Sequence, residues 1–349
     1  MSLTQGQPEI EPGQEVEIGL FRPQDADGVA ASFRAVYGEG YPVKVYYQPP
    51  ELIAAVGRGE IICVVARTPR GEVVGVVNFF NSAPFNGIYE IGAGLVLPSF
   101  RQRGLNTLMI NYMLDQAVPQ RGVPMGFGEA VCNHTHLQKT QEARGYAHTA
   151  LEVDLMPAAA YGREQSASGR VAVMASFRAY EPNSHAVYLP PRYAAALREI
   201  YTSSGQERAF LEADPGATLL GSTELKAQVF DFAQAARVAV HETGADLEGR
   251  LDELLAGLED QGVVVVQAWL KLASPLVGRA VEVFRARGFF LGGVLLRWFD
   301  QDGLLLQKVH GRPNWEEIQV YSPQCRCILD LVRQDWQEVQ GELPQGATA

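Results

Sequence analysis

The sequence predicts an α/β protein of the α+β type, built from two domains. The chain has 349 residues, and at roughly 100–200 residues per domain this length corresponds to two domains. β-branched runs alternate with amphipathic stretches along both halves, which indicates strands and helices in each. Hydrophobic residues make up 47% and charged residues 20% of the chain, values typical of a folded protein and not of a disordered one.

In the first half, apolar residues recur at alternating or helical spacing between proline- and glycine-containing turns. The second predicted helix, at 50–57, begins with a proline and ends with a glycine, as is typical of helix boundaries. The turn Thr-Pro-Arg-Gly between two β-branched runs indicates a hairpin. The predicted elements are, in order, strand 16–22, helices 26–37 and 50–57, strands 61–66, 73–80 and 88–97, helix 105–117, strand 123–131, helix 134–143 and strand 147–155.

Residues 157–169 are rich in Ala, Gly and Ser without periodicity, and are the predicted linker between domain 1–156 and domain 170–349. The second half repeats the closing order of the first: strand, strand, helix, strand, helix, strand. This repetition indicates a domain duplication. The predicted strands are 171–180, 225–232, 236–241, 263–270, 289–299, 304–309 and 318–320, and the predicted helices are 191–201, 247–258, 277–287 and 324–339.

Charge and cysteine content narrow the class of protein. The formal net charge of −11 argues against nucleic acid or a membrane as partner, because both attract dense basic surfaces. Four cysteines in a chain of this length do not form a disulfide framework, so we expect free thiols. The N-terminal segment does not resemble a signal peptide, and no apolar run reaches the ~18 residues of a membrane span. We therefore expect a cytoplasmic protein.

The most informative segment is the turn Leu-Val-Leu-Pro-Ser-Phe-Arg-Gln-Arg-Gly-Leu-Asn-Thr-Leu-Met at 95–109, between a strand and a helix. Free backbone N–H groups and the positive end of the dipole make a helix start an anion site. Gly104 carries no Cβ that would keep a phosphate from the backbone. The alternative is a solvated basic turn before an ordinary helix. The side chains that could add charge or hydrogen bonds are Arg101, Arg103, Asn106 and Thr107.

This turn, with the order of elements over 16–155, resembles the GNAT superfamily of acyl-CoA-dependent N-acyltransferases. The family pattern Arg/Gln-x-x-Gly-x-Gly/Ala is matched by Arg101 and Gly104 and departs at Asn106. The resemblance implies a mixed, mostly antiparallel central sheet flanked by helices, with acetyl-CoA as co-substrate. It implies that backbone atoms of 95–97 bind the pantetheine arm and amides of 102–107 the pyrophosphate. The implied cofactor-binding residues are Leu95, Val96, Leu97, Arg101, Gln102, Arg103, Gly104, Leu105, Asn106 and Thr107.

Acetylation of an amine needs a base, donors for the oxyanion and a proton for the leaving thiolate. Glu90 precedes the turn on the same strand, where histone-type family members carry a glutamate base, so the resemblance implies that role, directly or through water. Alternation alone does not fix the face of a strand residue, and Glu90 could instead face solvent or pair with an arginine. Glu129, on the next strand, is the second candidate for positioning or deprotonating the amine. Phe127 lies two residues before Glu129 and therefore on the same face of the strand. This face could line the gap between splayed strands where the resemblance places the acyl group, or Phe127 could be part of the core.

The family's general acid is a tyrosine, and alignment on Gly145-Tyr146 places Gln141 at that position and His134 at the position of a family asparagine. His134 is therefore the third candidate catalytic residue, as a substitute acid or a cofactor contact. Alternatively, His134 and His136 are surface residues beside a helix cap. Because they are two residues apart on a predicted helix, they are unsuited to sharing a metal ion, and we expect no metal.

The second half resembles the late family pattern at 280–289, with Phe284 at the tyrosine position. Before the helix at 247 the phosphate-binding turn is missing, and acidic residues there would repel a pyrophosphate. The resemblance implies a tandem protein with an active-looking N-terminal domain and a degenerate C-terminal domain. We expect the second domain to line the acceptor site or to mediate association, for example as a homodimer.

The expected function is acetyl-CoA-dependent N-acetylation of an unidentified primary amine, on a small molecule or a protein, by direct transfer. The acidic net charge favours a cationic acceptor. Two alternatives stay open, namely a non-catalytic acyl-CoA-binding or sensor protein, and an acyltransferase with another acyl donor.

Overall fold

The computed structural model describes residues 10–41, 43–157 and 169–342 and divides the chain into two compact units. Unit 1 comprises Met1–Ser82 and Asn86–Gly126, and unit 2 comprises Ala83–Phe85 and Phe127–Ala349. The predicted linker, apart from its two end residues, lies outside the described residues, and the domain bounds taken from the sequence stay a prediction. In the described part of the chain, no helix has the length and apolar character needed to cross a bilayer.

Unit 1 is a four-stranded antiparallel sheet with helices packed against it. All residues of its second strand are buried, as expected for an interior strand covered on both faces. The strands, which lie side by side in chain order, are β1 (Glu17–Leu20), β2 (Ile61–Arg67), β3 (Val73–Asn81) and β4 (Ile88–Val96), and the helices are α1 (Ala26–Tyr37), α2 (Pro49–Gly57), α3 (Leu105–Tyr112) and α4 (Val118–Arg121).

The helix predicted at 105–117 is interrupted in the structure. A π-helical turn at Met113–Ala117 joins α3 to α4. Pro119 is the second residue of α4, and because proline lacks an N–H it cannot complete the regular ladder of hydrogen bonds in an α-helix. The helical stretch therefore widens by one residue before it continues to Arg121.

Unit 2 contains most of β5 (Met125–Val131) and all later elements. Its other strands are β6 (Ala147–Pro157), β7 (Arg170–Ala179), β8 (Ala186–Leu189), β9 (Ala209–Glu212), β10 (Glu224–Phe230), β11 (Ala235–Glu242), β12 (Val265–Lys271), β13 (Phe290–Leu295) and β14 (Gly303–Val309). Its helices are α5 (His136–Ala143), α6 (Ala194–Ser203), α7 (Leu247–Asp260), α8 (Val277–Arg285) and α9 (Pro323–Glu342).

The strand order in unit 2 is symmetric about its middle: β5, β7, β6, β13, β14, β12, followed by β11 and β10. Each of the two triplets β5–β7–β6 and β12–β14–β13 has the chain order strand, helix, strand, strand. They meet where β6 pairs antiparallel with β13. β11 runs parallel to β12. Strand β7, which the sequence analysis placed in the second domain, thus lies between β5 and β6.

Gly293 permits the close approach of the two triplets. Its φ is +133°, and a Cβ there would lie 2.3 Å from the carbonyl oxygen of Thr149 and 2.6 Å from Cα of Ala150. Only glycine avoids this clash and tolerates this φ. The hydroxyl of Thr149 donates a hydrogen bond of 2.6 Å to the carbonyl of Val294, which fixes the register of the junction.

The predicted fold class, a mixed and mostly antiparallel sheet flanked by helices, is confirmed, and the four cysteines are free thiols. The predicted strand at 318–320 is wrong, because a 3₁₀ turn at Trp315–Glu317 leads into irregular chain there. The backbone N–H and carbonyl of Gln319 bond individually to Cys132 and to the side chain of Gln138, so tertiary partners replace a ladder. The sequence analysis missed β8 and β9, two four-residue strands that pair in parallel.

Candidate functional site

The predicted cofactor-binding residues surround one pocket in unit 1, with a volume of about 440 Å³. The pocket lies among the end of β4, the following turn, the start of α3 and the last turn of α1. Its volume is in the range of small-molecule sites. Leu97 and Arg103 are the two predicted cofactor residues outside its lining. The lining residues are Val36, Tyr37, Gly94, Leu95, Val96, Phe100, Arg101, Gln102, Gly104, Leu105, Asn106 and Thr107.

The turn before α3 has the geometry of an anion site. Gln102 and Gly104 both adopt left-handed backbone conformations, with φ of +61° and +70°. Such reversals turn successive N–H groups toward one side of the chain, and the first N–H groups of α3 lack partners within the helix. A Cβ on Gly104 would meet no atom within 4 Å, so the space in front of the turn is open.

Two arginines and one asparagine shape the edges of the pocket. Arg101 is exposed, and its Nε donates a 3.0 Å hydrogen bond to the carbonyl of Val96, which anchors the guanidinium at the end of β4. The Arg103 guanidinium lies 5.7 Å from the ring centroid of Phe100. A Cβ at Gly94 would lie 3.6 Å from Oδ1 of Asn106, so the amide at the position that departs from the family pattern lies beside the backbone of β4.

Strand β4 bulges just before the pocket. Val76 of β3 pairs with Leu95 and Asn78 pairs with Gly92, so β4 contains one extra residue in this interval. Ala93 has a φ of +47°, and the buried amide of Asn78 donates a 2.9 Å hydrogen bond to its carbonyl. Bulges occur next to active sites because they change the direction of a strand and its backbone groups. This one lies between Glu90 and the pocket.

Glu90 lies on β4 opposite Phe80 and is partly buried. Burial raises the pKa of Tyr41 and of Tyr46, and the negative charge of Glu90 adds to both shifts. Directly paired residues of neighbouring strands share a face, and Phe80 packs against the core cluster that contains Tyr46, so Glu90 lies on that face of the sheet. This placement disfavours the alternative in which Glu90 points into bulk solvent, and its role as the base stays a prediction.

An aromatic cluster, missed by the sequence analysis, forms the surroundings of Glu90. The ring of Phe33 on α1 stacks on Tyr46 with centroids 4.6 Å apart and contacts Tyr41 at 5.1 Å. The hydroxyl of Tyr47 accepts a 3.0 Å hydrogen bond from the backbone N–H of Tyr41. Tyr37 extends this cluster to the pocket, since its hydroxyl lies 3.5 Å from the carbonyl of Gly94. The four tyrosines between residues 37 and 47 were the signal that could have revealed the cluster.

Glu129 lies in unit 2 and forms an ion pair with Arg237, with Nη2 2.7 Å from Oε1. The same guanidinium lies 3.6 Å from Oε1 of Glu152, and its Nε donates to Oε1 of Gln267 at 2.9 Å. β5 and β11, which carry Glu129 and Arg237, are thus brought together by curvature of the sheet between them. Phe127 packs on the ring of Trp298 at 5.1 Å and is buried, which supports its core alternative. A catalytic role for Glu129 stays a prediction.

His134 precedes α5, which begins two residues later than predicted, at His136. The ring of His134 is partly buried, and its centroid lies 5.5 Å from that of the His136 ring. Gln141, at the family's tyrosine position, is buried, and its Oε1 lies 3.3 Å from Nε2 of His148. Neither Gln141 nor the preceding Thr140 is a proton donor comparable to a phenol. A role of His134 in catalysis stays a prediction.

Comparison with known proteins identifies the segment that carries the pocket. Residues 28–138 match the family model of the acetyltransferase (GNAT) family, and this range contains Glu90, Glu129, His134 and the turn at 95–109. The resemblance seen in the sequence is thereby confirmed for this segment. No curated protein matches the chain.

Several solved structures are similar to about half of this chain. An acetyltransferase of the GNAT family from Streptococcus pneumoniae is 14% identical over 47% of this chain and 99% of its own, with a TM-score of 0.38. The spermidine/spermine N-acetyltransferase from Vibrio cholerae is 11% identical over 47% and 92%, with a TM-score of 0.36. The ribosomal-protein-S18-alanine N-acetyltransferase from Escherichia coli is 14% identical over 48% and 96%, with a TM-score of 0.35.

Proposed function

Because residues 28–138 form a GNAT-family acetyltransferase domain, we propose that this protein is an acetyl-CoA-dependent N-acetyltransferase that acts on a primary amine by direct transfer. The observation that carries the proposal is the pocket of unit 1. It combines an open, left-handed turn at Gly104, the first amides of α3 and the exposed Arg101. These groups suit a pyrophosphate, and the backbone of β4 at 94–96 continues the lining toward Glu90.

In the proposed mechanism, Glu90 accepts a proton from the ammonium form of the acceptor, directly or through a water molecule. The free amine attacks the thioester carbonyl, so that the C–N bond forms and the C–S bond breaks as the tetrahedral intermediate collapses. The acylated nitrogen loses its excess proton, and the departing thiolate takes up one proton in its place, so that a neutral amide and free CoA result. A carboxylate on the strand that leads to the pocket is suited to the first step, because it can accept a proton from an ammonium group held beside the thioester.

The surroundings of Glu90 favour a cationic acceptor. An ammonium group is attracted by a carboxylate and by accessible faces of aromatic rings. Phe33 and Tyr46 are buried, so Tyr41, which is partly exposed, is the ring of this cluster that we propose contributes beside Glu90. The net charge of −11 acts in the same direction at long range. We therefore propose a primary amine that is protonated in solution.

We also propose that the chain is a tandem of two GNAT-like domains, with the first domain extending through β7. The symmetric order of the triplets β5–β7–β6 and β12–β14–β13 supports this proposal. In the second copy, the start of α7 carries Asp246, whose carboxylate accepts the N–H of Thr223 at 2.6 Å. A carboxylate at this point would repel a phosphate, so we propose that the second copy does not bind CoA.

The binding step is tested by calorimetry with acetyl-CoA on Gly104→Val and Gly122→Val. Both glycines have positive φ, of +70° and +59°, and at both a Cβ would meet no protein atom within 4 Å. The backbone strain is thus matched, but Gly122 lies outside the pocket. We expect Gly104→Val to abolish binding and Gly122→Val to retain it. Equal affinities of the two variants would contradict the proposed cofactor site.

The chemical step is tested by thiol release from acetyl-CoA against a panel of primary amines. Glu90→Gln is expected to retain acetyl-CoA affinity and to lower kcat by about 10²–10⁴-fold, the usual contribution of a general base. Glu60→Gln, an exposed carboxylate of the same unit, is the control. Unchanged turnover in Glu90→Gln would show that the base assignment is wrong.

A second candidate function is acyl-CoA binding without turnover. It is favoured by Gln141, which is buried at the position of the family's tyrosine and cannot protonate a thiolate. Tight binding of acetyl-CoA without thiol release for any amine would favour this candidate. Thiol release with one amine would exclude it.

A further inference from the structure

Three potential metal ligands from distant parts of the sequence converge in unit 2. They are Glu142 of α5, His148 of β6 and Cys325 in the first turn of α9. Oε1 of Glu142 lies 3.3 Å from Nδ1 of His148 and 3.7 Å from Sγ of Cys325. One ligand atom from each residue lies within 4.8 Å of the other two. His148 and Cys325 are fully buried, whereas the side chain of Glu142 is 25% exposed.

These separations fit the edges of a tetrahedral zinc site. Zinc–nitrogen and zinc–oxygen bonds are about 2.0–2.1 Å long and zinc–sulfur bonds about 2.3 Å. At tetrahedral angles these bonds place nitrogen and oxygen about 3.3 Å apart and sulfur and oxygen about 3.5 Å apart. The observed 3.3 and 3.7 Å agree with both edges to within a few tenths of an ångström.

A neighbouring side chain orients His148 as a ligand. Oε1 of Gln141 lies 3.3 Å from Nε2 of His148. In the tautomer with its hydrogen on Nε2, this N–H donates to Gln141 and the lone pair of Nδ1 faces the carboxylate of Glu142. Two acceptors at this separation repel each other unless a proton or a metal cation lies between them. Metal-binding histidines commonly donate their other N–H to such a partner. Nε2 of Gln324 also donates to the carbonyl of His148 at 2.7 Å, which holds the start of α9 beside β6.

We propose that Glu142, His148 and Cys325 bind one zinc-type divalent cation that fastens the start of α9 to α5 and β6. One thiolate, one imidazole and one carboxylate favour such a borderline-soft ion over magnesium or calcium. Binding releases the thiol proton of Cys325 and leaves a fourth position for water. Because Glu142 and Cys325 are 183 residues apart, sequence spacing could not indicate this site.

The test is a titration of the reduced, metal-free full-length protein with Co²⁺, followed by displacement with Zn²⁺. We expect one equivalent of Co²⁺ to give a thiolate-to-cobalt charge-transfer band and the strong visible bands of a tetrahedral site. Cys325→Ser should lose the charge-transfer band. Cys327→Ser, two residues further on the same helix and outside the cluster, should retain it. Glu142→Gln should weaken Zn²⁺ binding by at least about tenfold, the smallest loss seen even for outer-shell residues.

Absence of the charge-transfer band in the unaltered protein would overturn the proposal, and so would an identical band in Cys325→Ser. If Cys325→Ser fails to fold, the spectrum of the unaltered protein and the affinity of Glu142→Gln decide, because Glu142 is partly exposed and its replacement conserves shape. Equal Zn²⁺ affinity in Glu142→Gln would mean that a shared proton, and not a metal, lies between the carboxylate and His148.

Discussion

Replacing Arg237 by methionine removes the cation that lies between two carboxylates of unit 2. Its Nη2 is 2.7 Å from Oε1 of Glu129 and 3.6 Å from Oε1 of Glu152. The side chain of Arg237 is 16% exposed, that of Glu129 23% and that of Glu152 3%. Methionine keeps an apolar stem of similar length but loses the guanidinium, whose central carbon lies 5.7 Å from the ring centroid of Trp269. The substitution therefore removes mainly the charge and its hydrogen bonds.

Removing one partner of a fully buried ion pair costs about 3–5 kcal/mol, because the remaining charge is left without compensation. Water can reach Glu129 in part, which lowers the contribution of this carboxylate to the loss of stability, whereas Glu152 is almost fully buried. We therefore expect Arg237→Met to lower the free energy of unfolding by about 2–4 kcal/mol. Arg312→Ala breaks a pair with Glu316 in which both side chains are more than 60% exposed, and should cost less than about 1 kcal/mol.

The assay is urea unfolding followed by tryptophan fluorescence. All four tryptophans lie in unit 2, so the signal reports on the unit that contains the ion pair. The double variant Glu129→Gln/Arg237→Met should lose less than the sum of the two single losses, because the pair is removed as a whole. A loss in Arg237→Met no larger than that in Arg312→Ala would refute the argument. If Glu129 is also catalytic, Glu129→Gln should lower kcat beyond its effect on the folded fraction.

Three further substitutions test the fold and its pH dependence by the same unfolding assay. Gly293→Ala should lower stability by at least about 2 kcal/mol through clash and strain, while Gly249→Ala, in open space on α7, should not. Burial raises the pKa of Asp154 to about 6, so the free energy of unfolding falls as the pH rises from about 4 to 6. Asp154→Asn should therefore raise the free energy of unfolding by about 1–3 kcal/mol at pH 8 and leave it unchanged at pH 4. Burial opposes ionisation of Asp302, but hydrogen bonds from His185 and Arg208 lower the pKa of this carboxyl to about 2. Asp302→Asn should therefore lower the free energy of unfolding by about 2 kcal/mol at pH 7, and this loss should shrink below pH 4. Profiles without these slopes would contradict the two pH predictions.

The phosphate-binding turn was accessible from the sequence because its geometry is local. A strand, a glycine that tolerates positive φ and the start of an amphipathic helix follow each other within 15 residues, and all the predicted cofactor residues except Leu97 and Arg103 line one pocket. Glu90 was accessible for the same reason, since it lies on the strand that enters the turn. Its aromatic surroundings were not, because α1 and the segment at 44–47 reach it only through packing.

The position of Glu129 shows where local reasoning stops. Alternation along β5 predicted only that Glu129 shares a face with Phe127, and its partner Arg237 lies 108 residues further along the chain. The strand predicted at 318–320 failed for a similar reason, since the backbone N–H and carbonyl of Gln319 bond individually to Cys132 and Gln138. Propensity describes what a segment can do alone, and tertiary partners outweigh it.

The sequence by itself determined the fold class, most of the helices and strands, and the anion-binding turn, because hydrophobic period, prolines, glycines and charges act over a few residues. Only the tertiary structure decided which carboxylate meets which arginine, where β7 inserts, and that Glu142, His148 and Cys325 converge. These contacts join residues more than a hundred positions apart, or strands that are not consecutive in the chain. They follow from the curvature and strand order of the whole sheet, which no short segment encodes.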